Sequence, residues 1–285
     1  MVASTENVDT MPASPEDHMF RLTKESSTSV AAAFKNDGFV LLQEALDPSL
    51  LEDWRNFGEA YFIKSFQLLH ENGHTNAPIP YEKEYLMGLG AKNGFKEMVM
   101  RSPGRYELSL LDCLDQVPDI KKIVGALEPL LPKCLGGGYK STLPLKLCHL
   151  SILVSTPGST DQGWHADGGH ASLQQHLPCH CANVFVPLHD LPEEMGPTEF
   201  RPESHYLTRN LAPMMLAAKC RGTLRVPVWP ALNLGDVVCF DYRILHRGRA
   251  NNSDRNRFVL VLTFAEPWFT DVLNFPKRSM KTPAE

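Results

Sequence analysis

From Leu145 to Ala265 the sequence is a succession of short apolar runs broken by glycine, proline and asparagine. The runs are LKLCHLSILVS (145–155), DQGWHAD (161–167), CANVFVPL (181–188), TEFRP (198–202), TLRVPVW (223–229), DVVCFD (236–241), RILH (243–246) and RFVLVLTFA (257–265). Each has the length and the turn-residue boundaries of a strand. Short strands in such a series bury their apolar faces by packing one sheet on another, which predicts a double-sheet jelly roll over about residues 145–265. The stretch Leu211–Cys220 reads as a helix inserted among the strands, and the insert 205–222 is a candidate cover for the open end of the barrel.

The part before residue 145 is more helical. Ser29–Asp37 reads as a short helix and Gly38–Leu42 as a strand. Asp47 and Pro48 suit the cap and first turn of a longer helix, along which Leu50, Trp54, Phe57 and Tyr61 recur at helical spacing. A second amphipathic helix is expected from about Pro118 to Leu131, with Ile120, Ile123, Val124 and Leu127 on one face. Glu71–Ser109 is irregular, and a connector rather than a phosphate loop is expected at Gly136-Gly137-Gly138, since no Lys-Ser/Thr follows. The expected class is therefore mainly β with flanking helices: a double-stranded β-helix, cupin-like in form. One domain is expected over 29–270, after a disordered N-terminal tail (1–28) poor in large apolar residues and before a C-terminal tail (271–285).

A formal net charge of −5 with both signs interspersed speaks against nucleic acid as a partner. No apolar run reaches the roughly eighteen residues that a membrane span requires. Seven cysteines without a Cys-x-x-Cys pair, and an N-terminus without a basic and apolar leader, lead us to expect a cytoplasmic protein with reduced thiols. A monomer acting on a small molecule is the expectation.

The chemistry centres on DQGWHADGGH (161–170). On an extended backbone His165 and Asp167 point to one side and can share a metal ion. His246, where RILH breaks into a polar turn, is the third candidate ligand. Two histidines and one carboxylate, leaving three positions open, match the requirements of a non-haem Fe(II) oxygenase. Alone, His-x-Asp is a weak signal; its order with His246 and with Arg257, which opens the next apolar run, strengthens it.

With WHAD (164–167), EEMGPTEFRPESH (193–205) and GDVVCFDYRILHRGRANNSDRNRFVLVLTF (235–264), the chain resembles the phytanoyl-CoA dioxygenase family of Fe(II)/2-oxoglutarate oxygenases over about residues 30–268. The resemblance implies Fe(II) on His165, Asp167 and His246, with 2-oxoglutarate and O2 as co-substrates. It also implies that a C–H bond of a small organic molecule is oxidised, most simply hydroxylated, with release of succinate and CO2. Arg257 stands where the family carries the arginine that grips the far carboxylate of 2-oxoglutarate, a task suited to a planar, permanently charged fork. Arg247, Arg249 and Arg255 compete for that role. Thr198 and Gln162 are candidate polar partners of the co-substrate, with Asn183 a weaker one.

Arg105 and Tyr106 fall where the family builds its substrate wall, which leads us to expect a contact to an anionic or carbonyl-bearing substrate. His149 is ambiguous, a satisfied core histidine being the commoner case, and the His176, Cys179, His180, Cys181 cluster lacks the spacing of a zinc site. Two other readings stay open: a cupin-like metal oxygenase or isomerase that uses no 2-oxoglutarate, and a jelly-roll binding protein without catalysis.

Overall fold

The structure, a computed structural model, describes residues 19–21, 23, 25–75, 88–136, 145–271 and 274–284. Its elements in order are β1 (Met19–Phe20), α1 (Ser27–Asp37), β2 (Phe39–Leu42), α2 (Pro48–Glu71), β3 (Met98–Ser102), β4 (Arg105–Ser109), α3 (Ile120–Leu127), α4 (Leu131–Cys134), β5 (Lys146–Ser155), β6 (Cys181–Pro187), β7 (Thr198–Phe200), α5 (Leu211–Cys220), β8 (Val237–Asp241), β9 (His246–Gly248) and β10 (Arg257–Ala265). Eight of the strands form one sheet in the order β1-β2-β8-β6-β10-β5-β4-β3, and β7 pairs with β9 in a second, smaller sheet.

Strand β10 is apolar on both faces because both are covered. Phe258, Leu260, Leu262 and Phe264 point outward into a core shared with Val30, Phe34, Trp54, Phe62 and Phe66 of the helices. Val259 and Val261 point inward, toward a second core with Phe39, Phe200, Phe240 and Ile244 that fills the space between the two sheets. The period-two alternation of an extended strand produces this division. Phe39 and Phe200 stack across the gap with ring centroids 4.8 Å apart. These two packed sheets are the expected cupin-like jelly roll.

Helix α2 begins as its sequence dictates: the Asp47 carboxylate accepts from the Ser49 backbone N–H at 2.9 Å, and Pro48 occupies the first turn. Its buried stripe is Leu51, Trp54, Gly58, Phe62, Phe66 and Leu69, rotated slightly from the expected one, so Leu50, Phe57 and Tyr61 lie at the margin of the core. Gly58 lets the helix approach the sheet, since a Cβ there would stand 3.1 Å from the Ile152 side chain.

Several expectations need correction. DQGWHAD and TLRVPVW pair only at single bridges, His165 to His246 and Val228 to Phe200. In the latter, Pro227 has no N–H to continue a ladder. Of RILH only His246 enters a strand, because Arg243 is held in a turn by Asp241. Within the segment read as irregular, Met98–Ser102 and Arg105–Ser109 form a hairpin around Pro103-Gly104 that extends the large sheet. Residues 1–18 and 137–144 lie outside the described residues, but Met19–Phe20 pair in parallel with Leu41–Leu42. The C-terminal segment is packed rather than loose: Met280 is fully buried, and its N–H donates to Glu97 at 3.0 Å.

The turn that leads into β9 rests on a buried ion pair. Arg243 Nε donates to Asp241 Oδ1 at 2.8 Å and Nη2 to Oδ2 at 2.7 Å, while Nη1 reaches the Leu177 carbonyl at 2.8 Å. Near this cation lie His170, His176 and His180, each pushed down to about 4 by burial and secondarily by Arg243. The unfolded chain, with imidazoles near 6.5, therefore takes up protons first.

Two outcomes follow. Leu260→Ala, at a site with no exposure, should cost about 2–5 kcal/mol, measured as a lowered urea midpoint with unchanged slope. Stability should be complete above pH ~6.5 and decline as pH falls toward ~4, as the linkage of depressed histidines requires. Equal urea midpoints of the metal-free protein at pH 7.5 and 5.5 would contradict this.

Candidate active site

The site begins with two backbone hydrogen bonds. His165 N–H donates to the His246 carbonyl at 3.1 Å, and His246 N–H donates back to His165 at 2.9 Å. Residues that exchange both bonds in an antiparallel pair project side chains to the same side, and the two rings lie 4.5 Å apart. Asp167 is fixed two residues on by its own N–H, which donates to the Tyr242 carbonyl at 3.0 Å. The backbone passes so close to the Tyr242 ring at Gly168 that any Cβ there would overlap it. Trp164 faces away, with the guanidinium groups of Arg201 and Arg247 over its ring, each 5.0 Å from the centroid.

The donor atoms suit a divalent metal. His165 Nδ1–H donates to the Gly163 carbonyl at 2.8 Å and His246 Nδ1–H to the Ile244 carbonyl at 3.1 Å. That leaves the lone pair of each Nε2 free for an ion. The two Nε2 atoms are 3.8 and 3.5 Å from the Asp167 oxygens. All three ligand atoms lie within 4.8 Å of one another, the only such group of His, Cys, Asp or Glu among the described residues. His176, Cys179, His180 and Cys181 are not such a group, and their thiols are free. Burial lowers the pKa of His246, against the opposing pull of Asp167, so its ring is kept neutral.

Behind the ligands a polar row crosses three strands. Asn183 on β6, Thr263 on β10 and His149 on β5 are register partners. Asn183 Nδ2 donates to Asp167 Oδ2 at 2.6 Å, and Thr263 Oγ1 donates to Asn183 Oδ1 at 2.6 Å. Asn183 thus orients the carboxylate. The ladder register that creates this row is invisible in a linear reading.

The ligands open on a cavity of about 320 Å³ whose lining also includes Gln162, Thr198 and Arg257, a size within the ordinary range for small-molecule sites. Gln162 accepts from the Gly248 N–H at 3.0 Å, fixing its side chain against β9. Arg257 is 1% exposed and donates from Nη1 to the Gly196 carbonyl, while Nε and Nη2 have no partner. No carboxylate among the described residues pairs with it. Burial and the neighbouring Arg105 hold its pKa well below the usual arginine value. A buried cation with spare donors is costly unless a ligand completes it, and a carboxylate of 2-oxoglutarate is such a ligand. Arg247 and Arg249 are already paired, with Glu199 and Glu193 respectively.

Arg105 and Tyr106 do not line the cavity. Arg105 is fully buried, and its guanidinium is used up on Ser155 Oγ (2.8 Å), the Arg249 carbonyl (3.0 Å) and the Thr160 carbonyl (3.2 Å). Tyr106 packs between Phe62 and Phe66 on the outer face of the sheet. The expected substrate contact therefore becomes a structural clamp and a core residue. None of residues 205–222 lines the cavity either, whereas Arg101, Ser102 and Glu107 of the β3–β4 hairpin do. Sequence reasoning missed Tyr242, Asp271, Asn274 and Phe275, which also line it. The last three stood in or beside the expected tail and carried no motif.

Removing the orienting amide tests this arrangement: Asn183→Ala should weaken Mn(II) or Co(II) binding about 10–100-fold, the usual effect of losing such a partner. Unchanged metal titration would mean that Asp167 is positioned by its backbone alone.

Comparison with known proteins agrees with this geometry. The family model described as phytanoyl-CoA dioxygenase matches residues 34–259. AviO1 from Streptomyces viridochromogenes Tue57 is 19% identical with a TM-score of 0.56, over 89% of this chain and 99% of that one. The non-heme alpha ketoglutarate dependent carbocyclase SnoK from nogalamycin biosynthesis is 19% identical with a TM-score of 0.52, over 90% of this chain and 87% of its own. HygX from Streptomyces hygroscopicus, with nickel and 2-oxoglutarate bound, is 15% identical with a TM-score of 0.52, over 87% and 89% of the two chains. At such identities the solved structures share the fold. The family match covers most of the chain, and the chain belongs to the phytanoyl-CoA dioxygenase family of non-haem iron and 2-oxoglutarate enzymes.

Proposed function

We propose that this protein hydroxylates a C–H bond of a small organic molecule, with Fe(II) on His165, Asp167 and His246 and with 2-oxoglutarate held at its far carboxylate by Arg257. The observation that carries the reading is Arg257: a fully buried guanidinium, on the cavity wall, with two donors unspent. That feature also weighs against a cupin-like enzyme without 2-oxoglutarate and against a binding protein without catalysis. Iron with 2-oxoglutarate supplies the oxidation, in which O2 gives one oxygen atom to the product and one to succinate as CO2 leaves.

The chain's own residues hold and orient. His165 and His246 present their Nε2 lone pairs, and Asp167 presents its carboxylate, steadied by Asn183. Val261, Phe185 and Leu153 line the cavity with apolar surface, which limits water beside the reacting carbon. Thr198 and Gln162 line the same cavity and are the candidate hydrogen-bonding partners of the co-substrate. No helix among the described residues is long and apolar enough to cross a membrane. Seven free cysteines support a reducing, cytoplasmic setting.

SnoK is a carbocyclase and SnoN an epimerase, so the product discriminates within the class. Gain of one oxygen atom supports hydroxylation, whereas loss of two hydrogens or an unchanged mass points to ring closure or epimerisation.

Arg257→Ala should raise the 2-oxoglutarate requirement on the order of a hundredfold, the worth of a charge-assisted bidentate contact, with metal binding retained. His246→Ala should lose both metal binding and turnover. Normal 2-oxoglutarate affinity in Arg257→Ala would overturn the assignment.

A further inference from the structure

One wall of the cavity consists of groups that neither the metal nor the co-substrate uses. It is formed by β5, by the β3–β4 hairpin and by the segment after β10. Both of its carboxylates are already hydrogen-bonded. Arg101 Nε donates to Glu107 Oε2 at 2.6 Å, and the other Glu107 oxygen accepts from Ser151 Oγ at 2.7 Å. Asp271 Oδ2 accepts from the Tyr242 hydroxyl at 2.9 Å and from the Asn274 amide.

His149 is different. Its side chain is 14% exposed, and Nε2 stands 3.5 Å from Asp271 Oδ2. The orientation closes no hydrogen bond, so neither ring nitrogen has a hydrogen-bond partner. An imidazole left so is unfavourable unless a ligand completes it. An imidazole can offer one donor and one acceptor. A hydroxyl offers the same pair in return and carries no charge. An anion here would meet Asp271 and Glu107, while a cation would find both carboxylates already engaged. Phe275, Leu153 and Phe185 leave apolar surface for a carbon skeleton.

We propose that His149 is the substrate-recognition residue of this site and that the substrate is an uncharged, hydroxyl-bearing small molecule, one hydroxyl of which hydrogen-bonds the His149 ring. This rests on the oxygenase reading above. The wall is anchored beyond Phe275, where Arg278 Nε donates to the Gly94 carbonyl at 2.6 Å and Met280 is fully buried.

The test uses the full chain loaded with Mn(II) and 2-oxoglutarate, with cyclohexane-1,2-diol, cyclohexanecarboxylate and cyclohexylamine as probes. Paramagnetic relaxation of each probe's protons reports binding beside the metal. The diol should be relaxed and the charged analogues should not. His149→Ala should weaken diol binding about tenfold, the loss of one uncharged hydrogen bond, while 2-oxoglutarate affinity by calorimetry stays unchanged. His149→Gln, which keeps a donor and an acceptor, should recover part of the loss. Preferential relaxation of the carboxylate or the amine, an unrelaxed diol, or equal diol binding in wild type and both variants overturns the proposal. Failure of the unaltered Mn(II) protein to bind 2-oxoglutarate sinks the co-substrate reading itself, whereas normal 2-oxoglutarate binding with an unrelaxed diol sinks the recognition proposal alone.

Discussion

The exchange of two backbone hydrogen bonds between His165 and His246 is the constraint on which the rest of the site depends. It brings together residues 81 positions apart without any side chain having to recognise another. Once the pair is closed, both imidazoles face the cavity and each Nδ1 finds a local carbonyl. Asp167 follows because its N–H is held by Tyr242. The buried Arg243–Asp241 pair has its importance here, since it shapes the turn that delivers His246 into β9. Breaking one partner of such a pair strands a charge in the core, so the metal centre inherits the stability of that turn.

The two sheets divide the chemistry. The smaller one carries His246 and, through the bridge, His165. The larger one carries Arg257, Asn183 and Thr263. Contact between the sheets is made by apolar packing around Phe39, Phe200 and Phe240, and by Arg257 donating to the Gly196 carbonyl. Gly196 has φ 69°, and a Cβ there would collide with the carbonyls of Arg249 and Ala250. Holding a guanidinium dry and half satisfied is unfavourable for folding. The surrounding core makes it tolerable, as functional sites commonly require.

The helices and the outer core have a simpler role. They cover one face of the large sheet so completely that β10 is buried along its whole length, which keeps the inward residues of that strand in register with β5 and β6. A one-residue slip would exchange Arg257 and Thr263 for Phe258 and Phe264 on the cavity side.

What the sequence determined by itself was local. Alternation and turn residues marked β5, β6, β8 and β10, and Asp47-Pro48 marked the start of α2. The His165-x-Asp167 spacing held because side chains two apart on extended backbone share a side. The family resemblance singled out Arg257, and the apolar run that it opens favoured it over Arg247, Arg249 and Arg255. Only the tertiary structure decided which arginine was buried on the cavity wall with donors unspent and that Arg105 was consumed by Ser155, Thr160 and Arg249. It also placed His149 in line with Thr263 and Asn183. Those outcomes depend on strand register and on where distant carbonyls end up. A linear pattern encodes the direction of a side chain along its own strand, but not the partner that the fold brings to meet it.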